Sequence, residues 1–437
     1  MALNPVKVLS QYADRLGDTF RIYLGGVKEV IVTTNPAVIQ HVMKTNSDNY
    51  HKSEIQVKRM GHFLGKGLLT THGEPWKTQR RLIQKGFDRK QLEVLSAIMQ
   101  DSLAESMLEF DRQVQLGPVD IYPHLMKMTF AMVSKSLFGA KLKDEDIGLV
   151  SHTICTVQEF IVRQTLQPYL NPWFAATGEL RRHEQMRAAA DAVLMDYITR
   201  RRSQPPSNDL LQILMDARYS DGQGMPDSLV LSESMQLLVA GHETSSNALS
   251  WLLYLLSSHP DCLEAIRDEF DAILGDEPLT FANVARFEFT TQVINEALRL
   301  YPPFWMIDRE AVADDRVGDL AIPAGSTVIV WVYGAHHASR YWPNPETFDP
   351  QRFAKGKALT PFTHLPFGAG PRGCIGGNYA MLQILMILGT LLRKYDFQLT
   401  PGQDIEARPM VILRPQNGIR MNFTEAAVRD RHSVAQM

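Results

Sequence analysis

Apolar residues recur every three or four positions over most of residues 36–300, and this spacing predicts helices at 92–110, 121–138, 181–202 and 232–258. Two stretches switch to alternation. Residues 20–24 and 29–34 flank Gly25-Gly26 and predict a hairpin, and a second β region runs over 309–332 with Pro323-Ala324-Gly325 as its turn. Pro260 closes the longest helix, and Pro205-Pro206-Ser207-Asn208 marks an exposed connection after Arg200-Arg201-Arg202. Residues 378–395 return to helical spacing. The expectation is a mainly α protein with a small β region, an α+β fold in which residues 1–437 form a single domain. Its β-rich parts lie at about 20–34 and 309–332, and the polar tail 424–437 is expected to be disordered.

Composition narrows the function more than the fold. Lys plus Arg number 45 against 48 Asp plus Glu, a net charge of −3 that argues against a nucleic-acid partner held by bulk charge. Cys155, Cys262 and Cys374 are too few and too scattered for a disulfide framework or a structural zinc site, so a reducing cytoplasm is expected. Lys7, Asp14, Arg15 and Asp18 interrupt the first residues, which lack the apolar stretch of a signal peptide. No uncharged apolar run is long enough to span a bilayer, so the protein is expected to be soluble, with no membrane anchor.

Candidate chemistry concentrates in Pro366-Phe367-Gly368-Ala369-Gly370-Pro371-Arg372-Gly373-Cys374-Ile375-Gly376. So many glycines exclude a helix or a central strand and allow the backbone to approach something flat. Cys374 directly precedes an apolar helix, whose N-terminal dipole and free N–H groups favour a thiolate. A thiolate beside an arginine suits an axial haem ligand, whereas a buried structural cysteine is the alternative. Phe-x-x-Gly-x-Arg-x-Cys-x-Gly resembles the haem-binding signature of the cytochrome P-450 family. The resemblance implies haem b (iron protoporphyrin IX) between a long distal helix and the proximal helix of the cysteine loop. Cys374 is then the ligand of the haem iron, Arg372 a propionate partner, and Phe367 and Gly368 part of the loop beside the sulfur.

Further residues fall at family spacings. Glu296 and Arg299 share a helix face and, with Arg352 of Pro350-Gln351-Arg352-Phe353, resemble the family's structural triad. Ala240-Gly241-His242-Glu243-Thr244-Ser245-Ser246 interrupts the long helix with a glycine, worth about 1 kcal/mol against Ala, and a run of hydroxyl side chains that bends helices. A weakened centre suggests a ligand or water against it. By resemblance Thr244 and Glu243 are catalytic, handling water and protons on the oxygen-binding side of the iron, and Ala240 faces the haem. His242 and His336 are expected to be structural. Trp76 and Arg80 match a propionate-binding helix, and Arg309 supplies another propionate cation.

The resemblance implies a bacterial haem-thiolate monooxygenase that uses O2 and two electrons from NAD(P)H. Separate proteins would deliver them, and Lys77, Arg80, Arg81, Lys85, Arg89 and Lys90 form a basic cluster suited to an acidic ferredoxin or flavodoxin served by its reductase. Phe304, Trp305 and Ile307 are expected in the substrate pocket, bordered by 56–69 and 167–174, with core packing the alternative for Phe304 and Trp305. Gln56, Lys58, Arg59 and His62 make that border polar for a lipid site. Hydroxylation and oxidative O-demethylation of a small organic molecule both remain open. A fatty-acid hydroxylase is one alternative; a haem-thiolate sensor or isomerase that inserts no oxygen is another, disfavoured because neither needs the Glu243-Thr244 proton pair.

Overall fold

A computed structural model describes residues 4–24, 28–139, 143–275 and 277–426 of the chain. It is mainly helical, with small sheets, and divides into two compact units. One gathers residues up to His51, Ser106–Met126 and the chain from Thr244 on; the other comprises Lys52–Glu105 and Lys127–Glu243. Among the described residues no helix is long and apolar enough to cross a membrane.

The first unit is built around a five-stranded sheet. Thr19–Leu24 pairs antiparallel with Lys28–Thr33, with Thr19 opposite Thr33, as the alternating pattern predicts. The Gly25-Gly26 turn lies outside the described residues. Lys28–Thr33 then pairs in parallel with Thr327–Val330, which is followed by Ile307–Ala311 and Tyr50–His51. The central strands read Val30-Ile31-Val32 and Val328-Ile329-Val330, continuous apolar runs typical of strands covered on both faces. Val30, Val32, Ile329 and Trp331 pack into one core with Leu9, Phe20, Trp305 and Leu413. Ile31 and Val328 pack on the other face with Val38, Val42 and Tyr50.

The strands near the C-terminus were not foreseen. Tyr395–Leu399 and Arg420–Glu425 pair antiparallel, and a third strand, Val119–Asp120, joins them. Thr424 lies opposite Asp396 and Glu425 opposite Tyr395, so the expected disorder does not begin at 424; residues 427–437 lie outside the described residues. The cause is local alternation: Phe397 and Phe423 face the core between exposed polar neighbours, and their rings lie 5.8 Å apart.

The second unit is helical. Its core includes Phe63, Val157, Phe160, Ile161 and Phe174, with His183 stacked on Phe160 at 3.9 Å. The helix Asp227–Ser257, the longest of the chain, passes from this unit into the first between Glu243 and Thr244.

Candidate active site

The cysteine loop is fixed from its N-terminal side by buried charge. On the helix Glu288–Leu300, Glu296 and Arg299 are both fully buried and form a two-pronged pair, with N–O distances of 2.7 and 2.8 Å. Arg352 reaches the same carboxylate at 3.3 Å, and the Asp349 amide donates to it at 2.9 Å. Arg299 also donates to the carbonyl of His336 at 2.9 Å. His336 then extends the network. Its Nδ1 lies 3.1 Å from the Arg299 carbonyl, while Nε2 accepts the Leu365 amide at 2.7 Å. That pattern requires a neutral ring protonated on Nδ1, and burial indeed holds its pKa well below the usual histidine value. Leu365 is the last residue before the Pro366–Cys374 stretch. The sequence offers His336 only as a structural residue, and it is the backbone geometry that joins the triad through it to the loop.

The loop closes on itself. Leu365 accepts the Gly368 amide at 3.0 Å, and Phe367 accepts the Cys374 amide at 2.8 Å. Cys374 is exposed, three residues ahead of the helix Gly377–Lys394. The glycines serve the loop's own packing as much as any ligand. Gly370 has φ +66°, and a Cβ there would fall 1.9 Å from the Met43 carbonyl oxygen. Phe367 packs its ring against Gly377, where a Cβ would touch it at 3.7 Å, and Ile307 and Met43 flank Gly368.

Two arginines bring positive charge to the same unit. Arg309, on Ile307–Ala311, is buried and donates to its neighbour's carbonyl, Asp308 O, at 2.7 Å. It makes no ion pair among the described residues. Burial, and then the cation of Arg372, push its pKa down to about 10. Arg372 itself is lowered by burial and donates to the Tyr50 carbonyl. Arg309 is thus a buried cation whose charge is opposed by burial and by Arg372, and such a group calls for an anion, because an uncompensated buried charge is costly. An exposed thiol ahead of a helix N-terminus, in one unit with such a pair, fits a haem whose iron takes sulfur and whose carboxylates take guanidinium groups.

The central helix is present as expected. Helical structure continues without interruption through 240–246. Gly241 is there for a close approach: a Cβ would lie 2.7 Å from Val133 on the helix Ile121–Phe138. His242 sits on that side, fully buried, with Nδ1 2.6 Å from the Leu238 carbonyl and its ring edge-on to Phe130 at 5.0 Å. Burial drives its pKa to about 4, so it is a neutral packing residue. Ala240 and Thr244, one turn apart, share a side of the helix and are half-buried; Glu243 is buried.

Trp76 is buried and Arg80 half-buried, one turn apart on the helix Gly73–Ile83 of the second unit. Beside them Lys77, Arg80, Arg81 and Lys85 border a surface depression of about 380 Å³ together with Gln84 and Asp88; Arg89 and Lys90 stand outside it.

The expected pocket residues divide. Phe304 is 45% exposed and Met306 39%, whereas Trp305 is 5% exposed, as extended chain alternation dictates. Trp305 belongs to the sheet core and donates its indole N–H to the Met410 carbonyl at 2.9 Å, which corrects its assignment as a pocket wall. Ile307 packs with Ala369 and Met43. The polar groups of the 56–62 stretch are engaged within their own unit. Lys58 pairs with Glu54 at 2.7 Å, Arg59 donates to the Gln164 carbonyl, and His62 meets Glu184 at 2.9 Å.

Comparison with known proteins shows the family. The family model for cytochrome P450 matches residues 2–423. Cyclooctat-9-en-7-ol 5-monooxygenase of Streptomyces melanosporofaciens is 29% identical over 390 residues, covering 88% of this chain and 84% of that protein. An ultra-long-chain fatty acid omega-hydroxylase of Homo sapiens is 26% identical over 435 residues, covering 93% and 81%. Among solved structures, retinoic acid bound cyanobacterial CYP120A1 superposes with a TM-score of 0.85 at 26% identity, covering 97% of this chain and 95% of that one.

Proposed function

Because the chain belongs to the cytochrome P450 family, and is a haem-thiolate monooxygenase, we propose that it hydroxylates a C–H bond of an apolar, extended small molecule. The cofactor is haem b, and NAD(P)H electrons arrive through a ferredoxin or flavodoxin and its reductase. The observation that carries this reading is the exposed Cys374 thiol at the mouth of a self-closed loop, in one unit with the buried Arg309 and the half-buried Arg372. Bound haem supplies the redox centre at which dioxygen is reduced and made able to attack a C–H bond.

The chain's own residues do the rest. Cys374 Sγ would be the sulfur that holds the haem iron, and the N-terminus of the helix that follows it favours the thiolate. Arg309 and Arg372 would hold the propionates of a bound haem, a role that the family resemblance also gives to Trp76 and Arg80. Thr244 Oγ1 holds a water in hydrogen-bond reach, and the Glu243 carboxylate takes protons from solvent and passes them to that hydroxyl. Ala240, with only a methyl, leaves room for a flat ring one turn away. Phe304, Met306 and Ile307 supply apolar contact to substrate.

Two facts favour an apolar substrate. The polar side chains of 56–62 are committed to protein partners, which removes the main argument against a lipid. The named relatives act on, or are seen with, a fatty acid, a cyclic alkenol and retinoic acid. The test supplies NAD(P)H, surrogate ferredoxin and reductase, and a panel of fatty acids, isoprenoids and methoxyarenes. Products one oxygen heavier from the first two classes are expected. Formaldehyde from the methoxyarenes alone would move the assignment to O-demethylation, and product without NAD(P)H consumption would move it to an isomerase. Thr244→Ala should keep NAD(P)H oxidation but divert it to hydrogen peroxide; unchanged coupling would remove Thr244 from the proton path.

A further inference from the structure

Segment 64–71, which leads into the helix Gly73–Ile83, is pinned to the long helix Asp227–Ser257 by two side chains of different chemistry. Gln236 is fully used: its carbonyl accepts the Leu69 amide at 2.6 Å, and its amide donates to Leu64 O, Gly65 O and Thr70 Oγ1 at 3.2, 3.1 and 3.1 Å. The contact is close, since a Cβ on Gly65 would fall 2.3 Å from Ser232 Oγ and one on Gly67 2.7 Å from Gln236. Thr71 Oγ1 carries the attachment onward to Gln79 Oε1 at 2.9 Å. Glu233, three residues before Gln236, is 0% exposed and only half used. Its Oε2 accepts the Leu68 amide at 3.0 Å, whereas Oε1 is buried and has no hydrogen-bond partner.

An amide at 233 would accept the Leu68 N–H equally well. A carboxylate there gains nothing in attachment and carries the cost of a buried, half-satisfied charge. What it adds is titration. We propose that Glu233 is a proton-operated latch: protonated, it keeps segment 64–71 seated on the long helix, and on ionisation it favours release of that segment and entry of water to its carboxylate.

The groups facing it are few. Lys52 approaches from the stretch before the Ile55–Met60 turn, donating to the Leu68 carbonyl, and Tyr219 approaches from the connection ahead of the long helix. Burial outweighs the Leu68 amide and the Lys52 cation and raises the Glu233 pKa to about 7 from 4.5. The seated state therefore binds the proton more tightly than the released state does. By linkage, release becomes easier as pH climbs from about 4.5 and levels off above about 7, with a full span of about 300-fold in the opening equilibrium. Release would matter for substrate entry if 56–69 borders the pocket. That consequence rests on the proposed function; the latch itself does not.

Hydrogen exchange on the full-length holoprotein, corrected for intrinsic rates at each pH, tests it directly. Protection at 64–71 should fall between pH 5 and pH 8 by about 70-fold, with the opening constant half-saturated near pH 7, while the helix Gly377–Lys394 stays unchanged. Glu233→Gln should abolish the pH dependence and keep the protection. A flat wild-type profile, a variant profile identical to wild type, or an equal loss at both segments would overturn the proposal. Should that variant fail to fold, Lys52→Met, which removes the neighbouring cation, must move the midpoint upward; an unmoved midpoint overturns the latch as well. Because the readout is amide protection rather than turnover, it can fail without touching the monooxygenase assignment, and the converse also holds.

Discussion

Glu296→Gln removes one negative charge and little volume from the most deeply buried ionic cluster in the first unit. In the native protein that carboxylate accepts from Arg299 at 2.7 and 2.8 Å, from Arg352 at 3.3 Å and from the Asp349 amide at 2.9 Å. A unit charge pair about 3 Å apart at an effective dielectric of about 20 is worth roughly 5 kcal/mol. Truncating one member of such a pair is measured at about 3–5 kcal/mol, because the partner stays buried and uncompensated. Here two guanidinium groups are left, one fully buried and one 10% exposed, so the upper end of that range applies. That is a large part of the total stability of a folded protein. Urea unfolding followed by circular dichroism should show the loss, and haem retention should fall in parallel, since Arg299 holds His336 and His336 holds Leu365. The double variant Glu296→Met/Arg299→Met separates pair strength from buried-charge cost: it should be less damaged than either single change. A Glu296→Gln protein within about 1 kcal/mol of wild type, or a double variant that sums the two single losses, would refute this account.

How much of this was legible beforehand depends on the range over which each signal acts. Helices and the first hairpin follow from local periodicity, and the five-type signature around Cys374 is a local string, so both were readable. The triad was readable as residue types, but its purpose was not: the step from Arg299 through His336 to Leu365 joins groups remote in sequence by backbone carbonyl and amide contacts, which leave no side-chain pattern. Gly241 carries a second purpose that no local pattern shows: the glycine makes room for Val133 on another helix. Trp305 was placed by its neighbours in sequence, and strand alternation turned it to the core. The closing strands alternated clearly enough, in Tyr395-Asp396-Phe397, but the preceding apolar helix masked their start.

Three further outcomes follow from particular contacts. Gly370→Ala should strongly impair folding and haem loading, because a methyl would have to occupy space 1.9 Å from Met43 O at a φ of +66°; normal loading would show that the loop can move away. Lys85→Glu with Arg89→Glu should slow reduction by an acidic ferredoxin at low salt and much less at high salt, and equal rates at low salt would dismiss the basic surface as a docking site. The third concerns acid. His242, His337 and His364 have pKa values lowered to about 4 by burial, and His336 lies well below its usual value. A histidine whose folded pKa is depressed binds its proton less readily than in the unfolded chain. Its stabilisation is therefore complete above about 6.5 and drains away as pH falls toward about 4, at roughly 1.4 kcal/mol per pH unit for each ring. Glu233 works in the opposite sense over about 4.5–7, since its folded pKa is raised, and cancels about one ring. Three rings' worth remains, so stability should fall by about 4 kcal/mol per pH unit below pH 6. His242→Phe, which keeps the ring volume beside Phe130, should make that slope visibly shallower. A stability profile flat from pH 7 to pH 5 would mean that these rings find protonated partners in the native state, against the neutral Nδ1–H form that the Leu365 amide demands of His336.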